Sequence, residues 1–334
     1  MKYKKILVTG GAGYVGAVLI PKLLGKEYKV TVFDWYLYGE HVFNDYQNNR
    51  NLNQIKGDIR NQDLLKEALN GIDTVIHLAC ISNDPSFELD PKLGKSVNYD
   101  ATIKLVDFAK EMHIKRFIYA SSSSVYGVKQ ESEVTEDLPL VPLTDYSKYK
   151  ALSEKYILSQ QSSDFIPLIL RPATVCGYSP RFRLDLTVNI LTLQALINHK
   201  ITVFGGSQLR PNIHIEDMTD LYVKTLEYPD EKIAGKIFNA GYENYSLQTI
   251  AEMVKKALGD ESIEITTQLT SDLRSYKISS RKIRDELKFR PTHTVENAIQ
   301  DLKNAYLNGK IVANAFDHDL YFNIKTMKQA SSNL

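Results

Sequence analysis

The chain has 334 residues, with 41 basic side chains nearly cancelling 40 acidic ones to leave a formal charge of +1; 43% of residues are hydrophobic and 24% charged. That balance gives no electrostatic footprint for nucleic acid or an anionic membrane, and the composition is that of a globular protein with room for one large or two modest domains. Two cysteines, Cys80 and Cys176, exclude a disulfide framework, and no apolar run reaches the length of a signal core or membrane span, so a reducing, cytoplasmic location is expected.

Taken in order, residues 5–9 read as a buried strand and 14–24 as a helix, with the next strand at 28–33. Further strands are expected at 74–78, 116–121 and 165–170, separated by helices at 63–69, 91–112 and 145–160. This alternation predicts an α/β fold, a Rossmann-type doubly wound parallel sheet covered on both faces. After Arg171-Pro172 the rhythm changes to short strands (201–204, 213–215, 263–267) mixed with helices at 217–226, 247–258 and 295–307. The expected division is a dinucleotide-binding domain over 1–172, with 205–242 returning to it. A smaller, discontinuous, mixed α/β substrate-binding domain takes 173–320, and 321–334 forms a tail that frays from Gln329 onward.

Between the first strand and first helix lies Thr9-Gly10-Gly11-Ala12-Gly13-Tyr14-Val15-Gly16. Gly10 permits a tight turn, Gly13 lets backbone approach a pyrophosphate, and Gly16 is expected to allow close helix–strand packing. The phosphates would rest on the free N–H groups at the helix N-terminus. Asp34 ends the second strand 18 residues after Gly16, where a carboxylate receives adenosine ribose hydroxyls and repels a 2′-phosphate; NAD is therefore expected over NADP.

Tyr146 and Lys150 stand four residues apart on one helical face, downstream of the serine run Ser121-Ser122-Ser123-Ser124 that ends a strand. Together with the glycine loop, these residues resemble the extended short-chain dehydrogenase/reductase superfamily of NAD-dependent nucleotide-sugar epimerases, dehydratases and reductases. The resemblance includes Gly57-Asp58-Ile59-Arg60, His77-Leu78-Ala79, Val97-Asn98, Arg171-Pro172, and the stretch from Ile201 through Gln208-Leu209-Arg210 to His214-Ile215-Glu216-Asp217.

What the resemblance implies is a catalytic trio. Tyr146 is the acid/base, Lys150 lowers its pKa and holds the nicotinamide ribose, and Ser122 hydrogen-bonds the reacting hydroxyl. An unassisted tyrosine, with a pKa of about 10, is too weak a base near neutrality, so it needs a neighbouring cation. The cofactor set implied is Gly10, Gly13, Tyr14, Val15, Gly16, Asp34, Asp58, Ile59, Leu78, Ala79, Asn98, Ser121, Tyr146, Lys150 and Val175. Asp58 would meet adenine, and Asn98 would anchor the loop near the nicotinamide. Substrate contacts are expected from Ser122, Ser123, Thr174, Arg183, Arg210 and Arg274, with Arg210 as a diphosphate clamp. A homodimer is expected through 101–112 and 146–158, whose apolar residues Leu105, Val106, Phe108, Leu152 and Ile157 either pair across the interface or face their own sheet.

Two departures shape the expected activity. Where 4,6-dehydratases carry acidic residues after the Ser122 position, this chain has Ser123 and Ser124, which disfavours elimination of water. Thr174 and Cys176 replace the family's usual asparagine and tyrosine, and Arg181 and Arg183 follow, a variant similar to a surface-polysaccharide subgroup that acts on GDP-linked heptoses. The expected activity is oxidation of a nucleotide-linked sugar at C4, as an epimerase or 4-dehydrogenase. A keto-sugar reductase and a non-catalytic dinucleotide-sensing regulator are the alternatives. His214 reads as a structural strand histidine, and no metal site is indicated.

Overall fold

In the computed structural model, which describes residues 3–270 and 275–331, the alternating first half closes into one parallel sheet. Its elements are β1 (Lys5–Thr9), α1 (Gly16–Gly25), β2 (Lys29–Asp34), β3 (Leu52–Lys56), α2 (Gln62–Leu69) and β4 (Thr74–His77). Then come α3 (Asp84–Glu88), α4 (Pro91–Lys95), α5 (Ala101–Glu111), β5 (Arg116–Ala120), α6 (Asp145–Ser159) and β6 (Ile166–Pro172). The second half contains β7 (Thr174–Cys176), α7 (Thr187–Asn198), β8 (Lys200–Phe204), β9 (Leu209–His214), α8 (Ile215–Thr225), α9 (Asp230–Ile233) and β10 (Lys236–Ala240). It ends with β11 (Glu243–Ser246), α10 (Leu247–Leu258), β12 (Glu264–Gln268), α11 (Arg281–Leu287), α12 (Val295–Leu307) and α13 (Asn323–Ser331).

Seven strands run parallel in the order β10-β6-β5-β4-β1-β2-β3, so the order reverses between β1 and β4, the crevice where such sheets bind ligands. Each strand feeds both faces. Ile6 and Val8 of β1 pack into one core, and Leu7 packs into the other with Phe117 and Tyr119 of β5. Every such fully buried aliphatic or aromatic side chain is worth about 1.5–3 kcal/mol. A third core, around Phe182, Leu191, Val203, Ile250 and Ile299, fills the smaller lobe. There β7, β9 and β11 form one small sheet, and β8 pairs with β12.

Several elements escaped the sequence reading for physical reasons. β3 and β10 are edge strands; β3 exposes Asn53, Gln54 and Lys56 and so carries no apolar run, and β10 offers only the pair Ile237-Phe238. Helix α7 is apolar nearly all round, which erases the 3.6-residue stripe. Of the segment 205–242, only part joins the large sheet. Helix α8 lies against α1, tied by Lys22 to Glu216 (2.7 Å) and Asp220 (2.5 Å), and β10 extends the edge, while β9 stays in the smaller lobe.

Of the tail expected to fray from Gln329 onward, residues 329–331 instead continue α13, whose Asn323 and Met327 are buried, and Gln329 donates to Asp319 at 2.7 Å; residues 332–334 lie outside the described residues. Of the two alternatives for the apolar residues of 101–112 and 146–158, Leu105, Val106, Phe108 and Ile157 take the second and face their own core, while Leu152 is exposed, at 37%. Among the described residues, no helix is long and apolar enough to cross a membrane.

Candidate active site

A cavity of about 590 Å³ opens at the carboxyl ends of β1, β2, β4, β5 and β6. Its floor is the glycine loop. Gly10 has φ +71°, and a Cβ there would fall 2.5 Å from Ala79 N, so both conformation and close approach demand glycine. A Cβ on Gly16 would meet Gly11 O at 2.1 Å; this glycine closes the helix onto its own loop, not onto a strand as expected. The strand contact falls to Gly11, whose Cβ would reach Val32 Cγ1 at 3.0 Å. At Gly13 an added Cβ would meet a single protein atom, Gly10 O at 3.1 Å, and the other side opens to the cavity. The loop is thus a cradle that side chains would fill, at the N-terminus of α1, and it fits a dinucleotide diphosphate.

Asp34 stands on the wall beside it. Its carboxylate accepts from Ala12 N (2.9 Å) and Tyr36 N (2.7 Å), bracing the glycine loop against the end of β2. Burial raises its pKa, while these amides pull it down. Asp58 also lines the wall, but its carboxylate is held by Arg60 Nε at 2.9 and 3.0 Å. Ile59, Leu78, Ala79 and Val175 line the same space, as do Tyr14, Val15 and Ser121.

Opposite the cradle, α6 is started by a reciprocal cap between Thr144 and Ser147, and Thr144 Oγ1 donates to Asp84 at 2.5 Å. This cap aims Tyr146 and Lys150 at the end of β5. Lys150 is buried and donates to the Ala120 carbonyl at 2.6 Å, with its ammonium 4.8 Å from the Tyr119 ring centre. One turn further, buried Glu154 accepts from Ser121 Oγ and pairs with Arg171 (2.6 Å). Tyr146 lies against the cavity, where burial and then Cys80 push its phenol pKa up and Lys150 pulls it down. Ser122 Oγ accepts from Ser124 N (3.1 Å) and lies 2.9 Å from Ser124 Oγ; Ser123 Oγ lies 3.2 Å from Tyr276 OH.

Of the expected site residues that the structure describes, all but Asn98 line this cavity. Arg274 lies outside the described residues. Asn98 sits behind the wall in a single π-helical turn, Ser96–Asp100, and grips Ile81 from both sides: it accepts from Ile81 N (2.8 Å) and donates to Ile81 O (3.0 Å). Arg183 reaches the cavity, yet its guanidinium is doubly bonded to Asp185 (2.8 and 3.0 Å), which also accepts from Asn83 (2.6 Å). Thr174 and Arg210 line the wall. His214 is buried and accepts from Glu216 N at 3.1 Å, capping α8.

Sequence reasoning missed Trp35, Tyr38, Asn83, Asn323 and Met327, all on the cavity wall. Trp35 and Tyr38 were within reach, since they follow the acidic end of β2. Asn323 and Met327 carried no local signal, because only the return of α13 beside α3 brings them there.

Comparison with known proteins agrees with this geometry. The family model described as the NAD dependent epimerase/dehydratase family matches residues 6–241. A UDP-glucose 4-epimerase of Lactobacillus helveticus is 28% identical over 309 residues, covering 86% of this chain and 92% of the relative. The crystal structure of a Bacillus cereus UDP-glucuronic acid 4-epimerase in complex with UDP-glucuronic acid and NAD superposes with a TM-score of 0.80. It is 29% identical and covers 90% of this chain and 100% of that one. A dTDP-glucose 4,6-dehydratase of Bacillus anthracis in complex with NAD shares the fold, with a TM-score of 0.80 at 22% identity, covering 91% of this chain and 97% of that one.

Proposed function

Because the chain belongs to the NAD-dependent epimerase/dehydratase family, we propose that it oxidises a nucleotide-linked sugar at C4 and returns the hydride to the other face, as a 4-epimerase. One observation carries this reading: Tyr146, Lys150 and Ser122 line the same cavity as the Gly10–Gly13–Gly16 cradle and Asp34. The Gly10–Gly13–Gly16 cradle and Asp34 would hold NAD, which would supply a reversible hydride acceptor for the carbinol carbon.

The protein's own groups manage the proton and the geometry. Tyr146 accepts the C4 hydroxyl proton and later redonates it, a task that needs its phenol pKa brought down from the raised value burial imposes. Lys150 supplies that pull, its ammonium held in place by the Ala120 carbonyl. Ser122, fixed by the Ser124 amide, directs its hydroxyl at the reacting oxygen. Gly13 and the α1 amides receive the cofactor diphosphate, and Asp34 receives the adenosine ribose. On the substrate side, Arg210 is the diphosphate clamp and Thr174 and Ser123 border the sugar.

Dehydration at C5–C6 is disfavoured because it needs a carboxyl group beside the sugar. Ser123 and Ser124 provide none, and the cavity's carboxylates are engaged elsewhere: Asp34 on amides, Asp58 on Arg60, Asp84 on Thr144 and Asp185 on Arg183. The two epimerases named above are a UDP-glucose and a UDP-glucuronic acid 4-epimerase, so UDP-linked sugars are the first substrates to try, with GDP-linked heptoses next. The test is incubation of the purified protein with NAD and each nucleotide sugar, following the products by NMR. Interconversion of C4 epimers without accumulation of absorbance at 340 nm is expected; a stoichiometric keto sugar with reduced cofactor would replace epimerisation by net oxidation.

A further inference from the structure

We propose that Arg181 is the counter-cation of a diphosphate bound in the cavity, and that Asn323 of the C-terminal helix α13 holds it there. The inference rests on the dinucleotide and nucleotide-sugar reading above, and it adds a binding residue and a role for the C-terminal segment.

Arg181 lines the cavity and is only 4% exposed. Its Nη2 donates to Asn323 Oδ1, Nη1 reaches the Phe182 carbonyl at 3.5 Å, and Nε has no hydrogen-bond partner among the described residues. The guanidinium lies 3.8 Å from the Tyr38 ring centre. Among the described residues it makes no ion pair, and the acidic residue nearest in sequence, Asp185, is taken by Arg183. Burial accordingly pulls its pKa down to about 10. Tyr38, Asp185 and Asp34 lie near enough to favour its charge, but no carboxylate pairs with it among the described residues, and a buried cation without a direct partner is costly unless an anion completes it.

The surroundings name the anion. Ser179 Oγ donates to Tyr14 O (2.7 Å), and Tyr14 OH donates to Gly177 O (2.6 Å), so the segment bearing Arg181 is stapled to the start of α1. Tyr38, under the guanidinium, lies four residues beyond Asp34. Arg181 therefore shares with the Gly13 cradle and the α1 N-terminus the space that favours negative charge. A guanidinium fork matches phosphate oxygens, and a diphosphate is the anion that a dinucleotide and a nucleotide sugar have in common. The stapling to the glycine loop favours the cofactor's diphosphate. Asn323 is 1% exposed and also donates to Ser82 Oγ at 2.7 Å, so α13 ties Arg181 to the loop after β4.

The test uses the full chain stripped of nucleotide, with quenching of Trp35, the single tryptophan and itself on the cavity wall, as the signal. NAD, ADP, UDP and adenosine are titrated into wild type, Arg181→Met, Arg181→Lys and Asn323→Ala, after each variant's melting curve has been recorded. Arg181→Met is expected to weaken NAD and ADP by on the order of tenfold to a hundredfold while leaving phosphate-free adenosine unchanged. Arg181→Lys should fall between, and Asn323→Ala should weaken the same ligands several-fold. A loss confined to UDP would assign Arg181 to the nucleotide sugar's diphosphate instead of the cofactor's. If Arg181→Met does not fold, the lysine and Asn323 variants decide. Binding of NAD, ADP and UDP within twofold of wild type in the folded variants overturns the assignment alone; a wild-type chain that binds neither NAD nor UDP overturns the functional reading with it.

Discussion

Lys150 donates to the Ala120 carbonyl at 2.6 Å, which ties the cation of helix α6 to the residue immediately before the serine run. The strand end that presents Ser122 and the helix that presents Tyr146 are thereby locked into one unit. Tyr146→Phe keeps the ring packing and removes the proton acceptor, so hydride transfer should fall by on the order of 10² to 10⁴ with NAD and nucleotide-sugar binding retained. Ser122→Ala should cost less, since it loses a hydrogen bond and not the base. Single-turnover rates beside binding constants check both, and a Tyr146→Phe enzyme within a few-fold of wild type removes Tyr146 from the role of base.

The pH profile of the same step separates Lys150's electrostatic role from a structural one. Burial raises the Tyr146 pKa and Lys150 lowers it, so activity should rise with pH as the phenol deprotonates. In Lys150→Met the lowering charge is gone, the phenol pKa moves up, and the rising limb of kcat/KM should shift to higher pH. An unshifted limb with uniformly reduced rate would show that the lysine only packs.

Cofactor choice follows from Asp34. A 2′-phosphate beside this carboxylate is repelled, so NAD should bind much more tightly than NADP. Asp34→Asn should narrow the ratio; because Ala12 N and Tyr36 N bind different carboxylate oxygens, its single amide oxygen keeps only one of these bonds, so a melting curve of the variant accompanies the titration. Similar wild-type dissociation constants for the two dinucleotides would contradict the assignment.

Behind the site, Arg171 and Glu154 form a buried pair, each 3% exposed, with Arg171 also donating to Tyr126 OH at 2.8 Å. Arg171→Met strands the Glu154 carboxylate and should destabilise the fold by about 3–5 kcal/mol in urea unfolding. A loss below about 1 kcal/mol would mean that water reaches the pair.

Association through α5 and α6 now has a narrower basis. With Leu105, Val106, Phe108 and Ile157 turned inward, a homodimer must use the outer face around Leu152. Light scattering at micromolar concentration is expected to give twice the mass of one chain, and Leu152→Glu should return it to the monomer; a monomeric wild type rejects the interface.

Some of this was determined by the sequence itself. A buried strand followed by glycines at 10, 13 and 16, and an acidic residue closing the next strand, suffice to place a dinucleotide cradle, because turn geometry and strand periodicity are local properties. The Tyr146–Lys150 spacing is likewise a local consequence of helical geometry. Tertiary structure decided what depends on partners distant in the chain. Edge strands β3 and β10 are each placed by a neighbouring strand, β3 without an apolar run of its own and β10 with only Ile237-Phe238. Arg183 pairs with Asp185 while Arg181 does not, a distinction two identical residue types cannot announce. Asn323 enters the site because α13 returns across 241 residues of chain to donate to Ser82, a contact paid for by packing that no local pattern records.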